Sequence, residues 1–403
     1  MYLRLWRTLK AGFVSVAEWW ETIKSRIRDL CIVYGVRRAR EKRKVLKELQ
    51  SRCLSGDNEV VARILAEERE GAFIRSRERF LEDGETPGYF YLKERARAQA
   101  KFIKQVRDSN GCIVKGTGVI NVFHEFYSHL YSADNSVDRE SQSSLLNSIA
   151  CSVSADQLKD LEKPIELSEI KLALSAMAKN KSPGIDGLPA EFYLEFLDLL
   201  GEDLLCLYND VFCRKLLSVS QRISVVTLLP KKGDALDPAN RRPISLLTAD
   251  YKVIAKILQL RLSRVMSSIV SIFQTCSVPG RSIHQNLSIL RDIADMVKFW
   301  GNACAFISLD QHKAFDKILY TDIRSKVLVN GQLSDDVTIQ RGVRQGCPLS
   351  PALYVLFIEP LAQYILQCNN IRGFHIPGSG GRVIKLLQYA DDARVLPHHR
   401  VTL

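Results

Sequence analysis

Long apolar runs are missing from this chain of 403 residues. No stretch approaches the roughly 18 uninterrupted apolar residues from which a membrane-crossing helix is read. The opening segment, MYLRLWRTLKAGFVSVAEWW, breaks its apolar residues with Arg and Lys and is too charged for the core of a secretory signal. Paired cysteines are missing too. The ten cysteines, at 31, 53, 112, 151, 206, 213, 276, 304, 347 and 368, form no C-x-x-C, and no histidine cluster stands near them at zinc-finger spacing. That argues against a structural zinc site, and reduced thiols of a cytosolic or nuclear protein are the default expectation. Internal repeats are absent as well.

A balance of charge is lacking in the N-terminal quarter, where basic residues outnumber acidic ones most. Residues 1–110 hold 25 Lys+Arg against 16 Asp+Glu, a net +9, so the other residues carry only +3 of the chain's +12. Such an excess says nothing of fold but favours a polyanionic partner. A solvated helical face rich in Arg and Glu explains the first stretch about as well as nucleic-acid contact does. With 46% hydrophobic residues the chain can bury a core, and its length suggests two or three domains.

Residues 1–50, with no Pro and few Gly, read as helical, with a basic run at Arg37–Lys47. A second helix is expected over Glu59–Leu81, ended by Asp83-Gly84 and Pro87-Gly88, and a basic helix over residues 89–107. A turn at Asn110-Gly111 precedes an aromatic-rich helix, Val119–Tyr131. The Ser-rich stretch 132–155 is read as a domain boundary, with an ordinary surface loop as the alternative. Further on, the pattern predicts a short helix Ser168–Met177, a loop Lys179–Pro189, one long helix from Ala190 to about Leu216, and strands at Ile223–Leu229 and Pro243–Leu247. Helices Tyr251–Ser267 and Ser282–Phe299 follow. Ala303–Asp310 has the profile of a buried strand ending in a carboxylate. Asn330-Gly331 is a strong two-residue turn signal between Ser325–Val329 and Val337–Gln340. After a helix Pro351–Gln367, the strand Val383–Tyr389 runs into Asp391-Asp392, and Arg394–Leu396 returns beside it.

A carboxylate at a strand end, Asp310, and a carboxylate pair at a hairpin tip, Asp391 and Asp392, form the donor set that two-metal phosphoryl transfer uses. Hard Mg²⁺ ions take oxygen ligands, and two of them about 4 Å apart can activate an attacking oxygen and stabilise a leaving one. An Asp-Asp pair in a loop is more often solvated surface. Asp310, after a mostly apolar run, is less easily dismissed, because a buried carboxylate without a partner is costly.

Eight ordered blocks then give the chain a resemblance. They are NKSPGIDGLPAEFY (180–193), VVTLLPKKGD (225–234), RRPISLL (241–247), DYKVIAKILQLRL (250–262), QTCSVPGRSIHQN (274–286), FISLDQHKAFD (306–316), QRGVRQGCPLSP (340–351) and QYADD (388–392). Residues 179–392 thereby resemble the reverse transcriptase of LINE-type non-LTR retrotransposons, and residues 84–131 resemble the segment ahead of the polymerase in that family. The resemblance implies an α+β fold, the fingers and palm of a right-hand polymerase, with an antiparallel palm sheet and helices, preceded by an all-helical basic region. Its implied segments are a basic N-terminal region at 1–135, fingers and the fingers–palm region at 156–300, and a truncated palm at 301–403.

By the same resemblance, Asp310, Asp391 and Asp392 match the catalytic, metal-binding carboxylates, which would hold two Mg²⁺ ions, with Mn²⁺ as a substitute. Phe315 matches the aromatic that crowds the sugar 2′ position and selects deoxynucleotides. Lys231 and Arg242 match finger residues that meet the incoming triphosphate, where fixed cations neutralise developing charge. Gln345 and Gly346 match the loop against nucleotide and template, Gly346 allowing close backbone approach. Arg281, Arg341 and Arg344 are expected to contact nucleic acid. Without the resemblance each has a plainer reading: Phe315 as core, Lys231-Lys232 as a charged turn, Arg241-Arg242 as a strand end, the other arginines as surface. The implied partners are template RNA, primer DNA and deoxynucleoside triphosphates, with no membrane, in the nucleus or cytoplasm.

The chain also departs from the family. Only eight residues separate Asp316 from Ser325, where the next strand is expected, although the family places a helical segment there and such a crossover needs at least about 10–12 residues. An apolar sheet face would be left uncovered unless another element moves in. After the Asp pair come Ala393-Arg394 and then Pro397 and two histidines, so no thumb is expected in this chain, and residues 1–80, short and helical in pattern, are not expected to form the family's endonuclease. The expectation is an incomplete palm without a thumb, RNA-directed DNA polymerase by descent, degenerate in this chain and lacking processive synthesis. The alternatives are a non-catalytic nucleic-acid-binding relic or an inactive pseudogene product.

Overall fold

The computed structural model describes residues 8, 10–52, 62–64, 66–71, 92, 95, 102–132, 138–150, 152–300, 307–309, 323–340, 342, 344–376, 381 and 383–396. Its strands are β1 (Gln105–Arg107), β2 (Ile113–Lys115), β3 (Ile223–Pro230), β4 (Arg241–Leu246), β5 (Ile307–Leu309), β6 (Ile323–Val329), β7 (Gln332–Ile339), β8 (Phe374–His375), β9 (Val383–Ile384), β10 (Leu386–Tyr389) and β11 (Asp392–Val395). They form a four-stranded sheet ordered β4-β3-β6-β7, a three-stranded sheet ordered β10-β11-β5 and two ribbons, β1-β2 and β8-β9. With the helices around them this is a mixed α+β chain.

The chain divides into two compact units that are interleaved rather than sequential: residues 1–126, 177–249 and 326–336 in the first, residues 127–176, 250–325 and 337–403 in the second. Each unit is thus assembled from distant stretches of sequence, some of them brought together as strands of one sheet.

In the first unit the helix Val16–Arg52 begins at Ser15, whose hydroxyl accepts the Glu18 N–H at 3.1 Å. Its first turns bury Trp19, Trp20, Ile23 and Ile27, and the Trp20 and Tyr193 rings lie 6.5 Å apart. The buried Lys24 ammonium is met by Ser220, by Glu21 at 3.2 Å and by Asp186 at 4.0 Å. From Arg28 to Arg40 every residue is exposed. Arg37, Arg38 and Arg40 of the expected basic run therefore lie on a stretch whose whole circumference meets solvent, while Lys42 is half-buried and meets Glu67.

Residues 105–107, expected to end a basic helix, are instead a strand. β1 pairs antiparallel with β2, Val106 opposite Val114, around a turn in which the Asp108 carboxylate accepts the Asn110 and Cys112 N–H groups at 3.0 and 2.8 Å. The expected long helix from Ala190 is two, Ala190–Glu195 and Leu197–Arg214, broken at Phe196 with φ −100° and ψ 21°. β3 and β4 run antiparallel from Val225 opposite Leu246 to Pro230 opposite Arg241. Gly184 lies so close to the backbone of Leu247 and Thr248 that a Cβ there would collide with it.

In the second unit, residues 139–147, expected within a loop or domain boundary, form a helix capped by Asp138, whose side chain accepts from the Glu140 and Ser141 N–H groups. Arg261 is buried and joined to Glu169 by two bonds of 2.9 and 2.7 Å, while it also donates to the carbonyls of Leu161, Lys163 and Pro164. The guanidinium thus ties the end of the helix Ala155–Glu162 to the helix Leu167–Ser175. It also holds the Glu169 carboxyl below its ordinary range, chiefly through that hydrogen bonding.

The three-stranded sheet is packed on both faces. Leu386, Ala393 and Val395 meet Ala362 and Ile365 of the helix Ser350–Gln367. Leu387 and Leu396 pack with Phe374 and Ile384 and with Ile293 of the helix Ile283–Trp300. This packing covers the β10–β11 hairpin, whereas Ile307 and Ser308 of β5 are exposed, and a pocket of about 920 Å³ lies between the helix at 139–147, the helix at 350–367 and this sheet. Leu146, Phe357 and Leu361 line it, and Asp391 stands at its rim.

Candidate functional site

β10 and β11 form a hairpin with Tyr389 opposite Asp392, so Ala390 and Asp391 are its two loop residues. On its other edge β11 pairs antiparallel with β5, Ala393 opposite Leu309. Leu309 is one peptide bond from Asp310, and Ala393 is one peptide bond from Asp392. Asp310 itself lies outside the described residues, as do Phe315 and Arg341. Asp391 is half-buried and Asp392 exposed.

The loop is held from behind. Ala390 has a left-handed φ of +52°, a conformation costing an alanine about 1–2 kcal/mol. Its N–H donates to Gln274 Oε1 at 3.1 Å, and Gln274 Nε2 donates back to the Ala390 carbonyl at 3.4 Å. The Gln274 side chain is fully buried, and its Oε1 also accepts the Cys276 N–H at 3.0 Å. The Ala390 methyl packs among Tyr354 and Ile358. One residue pair down the hairpin, the Gln388 carbonyl accepts from the Thr275 N–H at 3.0 Å and from Asn286 Nδ2 at 2.9 Å. The Gln388 N–H donates to the Phe273 carbonyl at 2.9 Å, so residues 273–275 lie along β10 as a further short strand-like edge.

That edge has its own support. The half-buried Arg281 donates to the carbonyls of Ser267, Val270, Ser271 and Gln274. Glu359, buried in the helix Ser350–Gln367, accepts the Ser271 N–H at 2.9 Å and the Gln363 amide at 2.6 Å. Burial pushes the Glu359 carboxyl above its ordinary range. Arg344 is also buried, with its guanidinium 4.7 Å from the Tyr251 ring centroid. The nucleic-acid contact expected of Arg281 and Arg344 thus meets side chains already engaged within the unit.

Gln345 and Gly346 form a turn after Arg344, with Gly346 at φ +116° and the Cys347 N–H closing it by donating to the Arg344 carbonyl at 3.0 Å. In the first unit, Lys231 and Arg242 are exposed at the end of the β3–β4 ladder, where Leu229 faces Arg242 and the Lys231 N–H donates to the Asn240 carbonyl at 2.9 Å.

Among the described residues no group of three or more His, Cys, Asp or Glu side chains gathers as a metal site. Asp391 and Asp392 stand as a pair. Their carboxylate oxygens suit a hard divalent cation, and the strand pairing leads the chain to a third carboxylate just past β5. The residues that reasoning from sequence missed are Gln274, Thr275, Asn286 and Glu359. The first three lie in the QTCSVPGRSIHQN block, but nothing local assigns a buried amide its partner 116 residues away.

The chain is also similar to known proteins. Residues 229–400 match the family model described as reverse transcriptase (RNA-dependent DNA polymerase). The transposon TX1 uncharacterized 149 kDa protein of Xenopus laevis is 32% identical over 445 residues, covering 99% of this chain and 34% of that protein. Its matched stretch exceeds the matching part of this chain by about 45 positions. The retrovirus-related Pol polyprotein from type-1 retrotransposable element R2 of Popillia japonica is 27% identical over 60% of this chain and 36% of its own length. The probable RNA-directed DNA polymerase from transposon BS of Drosophila melanogaster is 25% identical over 58% of this chain and 28% of its own. The chain spans about a third of the length of these relatives. No helix among the described residues is long and apolar enough to cross a membrane. Family model and relatives agree: this chain carries a reverse transcriptase domain of the LINE type, the kind found in non-LTR retrotransposons.

Proposed function

We propose that the domain is a polymerase by descent that adds single deoxynucleotides from their triphosphates to a DNA primer on template RNA, without processive synthesis, with Asp310, Asp391 and Asp392 as metal-binding catalytic carboxylates. The observation that carries this reading is the strand β11. It bears Asp392 at its start, follows Asp391 directly, and pairs with the strand that leads into Asp310. Two Mg²⁺ or Mn²⁺ ions bound there would supply charge neutralisation and polarise the attacking 3′-oxygen.

The remaining roles belong to the chain's own groups. Lys231 and Arg242, exposed and fixed at the end of a ladder, are suited to the negative charge of the triphosphate. Phe315, five residues after Asp310, is assigned the exclusion of a 2′-hydroxyl. The turn at Gln345 and Gly346 offers close backbone approach to nucleotide and template. Arg341 is assigned a phosphate contact. The exposed basic stretch from Arg28 onward in the N-terminal helix gives template RNA a phosphate-binding face. In this reading residues 223–246 and the sheet β10-β11-β5 correspond to fingers and palm.

The test is incorporation of a single nucleotide at a primer end on an RNA template, with Mg²⁺ or Mn²⁺. Asp391→Asn is expected to reduce incorporation to background. A wild-type chain that adds no nucleotide, or one whose activity survives the substitution, overturns the reading.

A further inference from the structure

We infer that Gln274 is a positioning residue for the metal-binding loop: its buried side-chain amide clamps both backbone groups of Ala390 and so sets the direction in which Asp391 and Asp392 present their carboxylates. The inference rests on the reading of those aspartates as metal ligands. It goes beyond that reading because Gln274 touches neither carboxylate.

A two-residue hairpin loop with a left-handed first position is normally built from Gly or Asn, which tolerate φ > 0. Here the position is Ala390, at φ +52°. A strained residue persists only where its surroundings over-determine it, and three contacts do so. Gln274 Oε1 takes the Ala390 N–H, Gln274 Nε2 reaches the Ala390 carbonyl, and the methyl is seated against Tyr354 and Ile358. The Gln274 amide is itself oriented, since its Oε1 also accepts the Cys276 N–H and its backbone carbonyl accepts from Arg281. Both amide functions are thereby committed, which fixes which end of the side chain faces the loop N–H. Thr275 and Asn286 hold the Gln388 carbonyl in the same way one residue pair earlier.

A carboxylate on an unclamped loop would spend much of its time pointing elsewhere, and a divalent cation would have to order it. With the clamp the ordering is done in the fold, so metal affinity is higher than the two side chains alone would give. Loss of a group that orients a metal ligand typically weakens binding about 10–100-fold.

The test is a titration of the full chain with Mn²⁺, followed by the electron paramagnetic resonance signal of the free ion, at a temperature where every variant is folded. Gln274→Met keeps the side chain's bulk without its hydrogen bonds. It is expected to weaken Mn²⁺ binding about tenfold or more, whereas Asp391→Asn combined with Asp392→Asn removes that binding. If the wild type binds and the double substitution abolishes binding, but Gln274→Met binds as the wild type does, the clamp is refuted while the metal site stands. If the double substitution binds like the wild type, or the wild type binds nothing, the metal-site reading falls and the inference with it. Should Gln274→Met fail to fold, amide hydrogen exchange in the wild type without metal decides. The Ala390 N–H is expected to be protected, and exchange at the rate of an open loop overturns the proposal.

Discussion

Two hairpin turns in this chain solve the same backbone problem by opposite means. The turn between β6 and β7 is Asn330-Gly331, with φ values of +50° and +86°. These residue types adopt left-handed conformations at little cost. Asn330 adds a bond in each direction, accepting the Ile103 N–H at 2.9 Å and donating to the Ile103 carbonyl at 2.8 Å. The turn between β10 and β11 puts Ala390 at φ +52°, a residue type that resists it, and holds it there with Gln274, Tyr354 and Ile358. The first turn is written in its own two residues. The second is imposed by residues far away in sequence, and it is the one that carries the aspartates.

The contrast can be broken in order of expected effect. Gln274→Met leaves the buried Ala390 and Cys276 N–H groups without their acceptor and is expected to lower unfolding free energy by about 1–3 kcal/mol, read from denaturant midpoints. Gly331→Ala places a Cβ at φ +86° and is expected to cost about 1–2 kcal/mol in the same measurement. Ala390→Gly relieves a similar strain but gives up a buried methyl and adds chain entropy, so its net change is expected to stay within about 1 kcal/mol. If Ala390→Gly stabilises as much as Gly331→Ala destabilises, the seating of the Ala390 methyl against Tyr354 and Ile358 contributes nothing.

The smallest effect is on pH dependence. Glu359 supports the edge behind the Ala390 turn through the Ser271 N–H, whereas the Asn330 amide does not titrate. Burial raises the folded-state pKa of Glu359, so its contribution to stability is fully present below the unfolded carboxyl range and is lost as pH rises through the folded value. Glu359→Gln is therefore expected to gain stability relative to the wild type as pH rises from about 4 to 8. Arg261 and Glu169 provide the opposite sign. Glu169 is depressed by Arg261, so that pair's contribution is present above the ordinary carboxyl range and fades as pH falls through the folded value. A stability profile for Glu359→Gln parallel to the wild type across this range would remove Glu359 from the support of the turn.

The same contrast explains what was legible in the sequence. Asn330-Gly331 announced its hairpin, the aromatic pattern of Val119–Tyr131 announced a helix with those bounds, and the apolar strand running into Asp391-Asp392 announced the second hairpin. Each of these signals is local. The strand Gln105–Arg107 was not legible, because three residues ending a basic run look helical until β2 pairs with them. Nor was the break at Phe196, which lies within a continuous helical pattern, nor the helix Arg139–Asn147 inside a Ser-rich stretch. For the proposed site, residue type alone leaves Asp391-Asp392 as an ordinary acidic loop and the resemblance of the surrounding motifs assigns its role, while Gln274 could not be read at all, since a buried glutamine declares its role only when its partner's position is known. Arg281, expected from sequence to contact nucleic acid, instead has donors that close on four carbonyls of its own unit.

The central claim is that one metal site joins the residues after β5 to the β10–β11 loop. Replacing the bound cation with Fe²⁺ and generating hydroxyl radicals in place tests it directly, because cleavage marks the backbone nearest the ion. The account predicts cuts clustered in two segments, residues 309–311 and 390–393, both lost in Asp391→Asn. Cuts confined to one segment, or unchanged by that substitution, would contradict it.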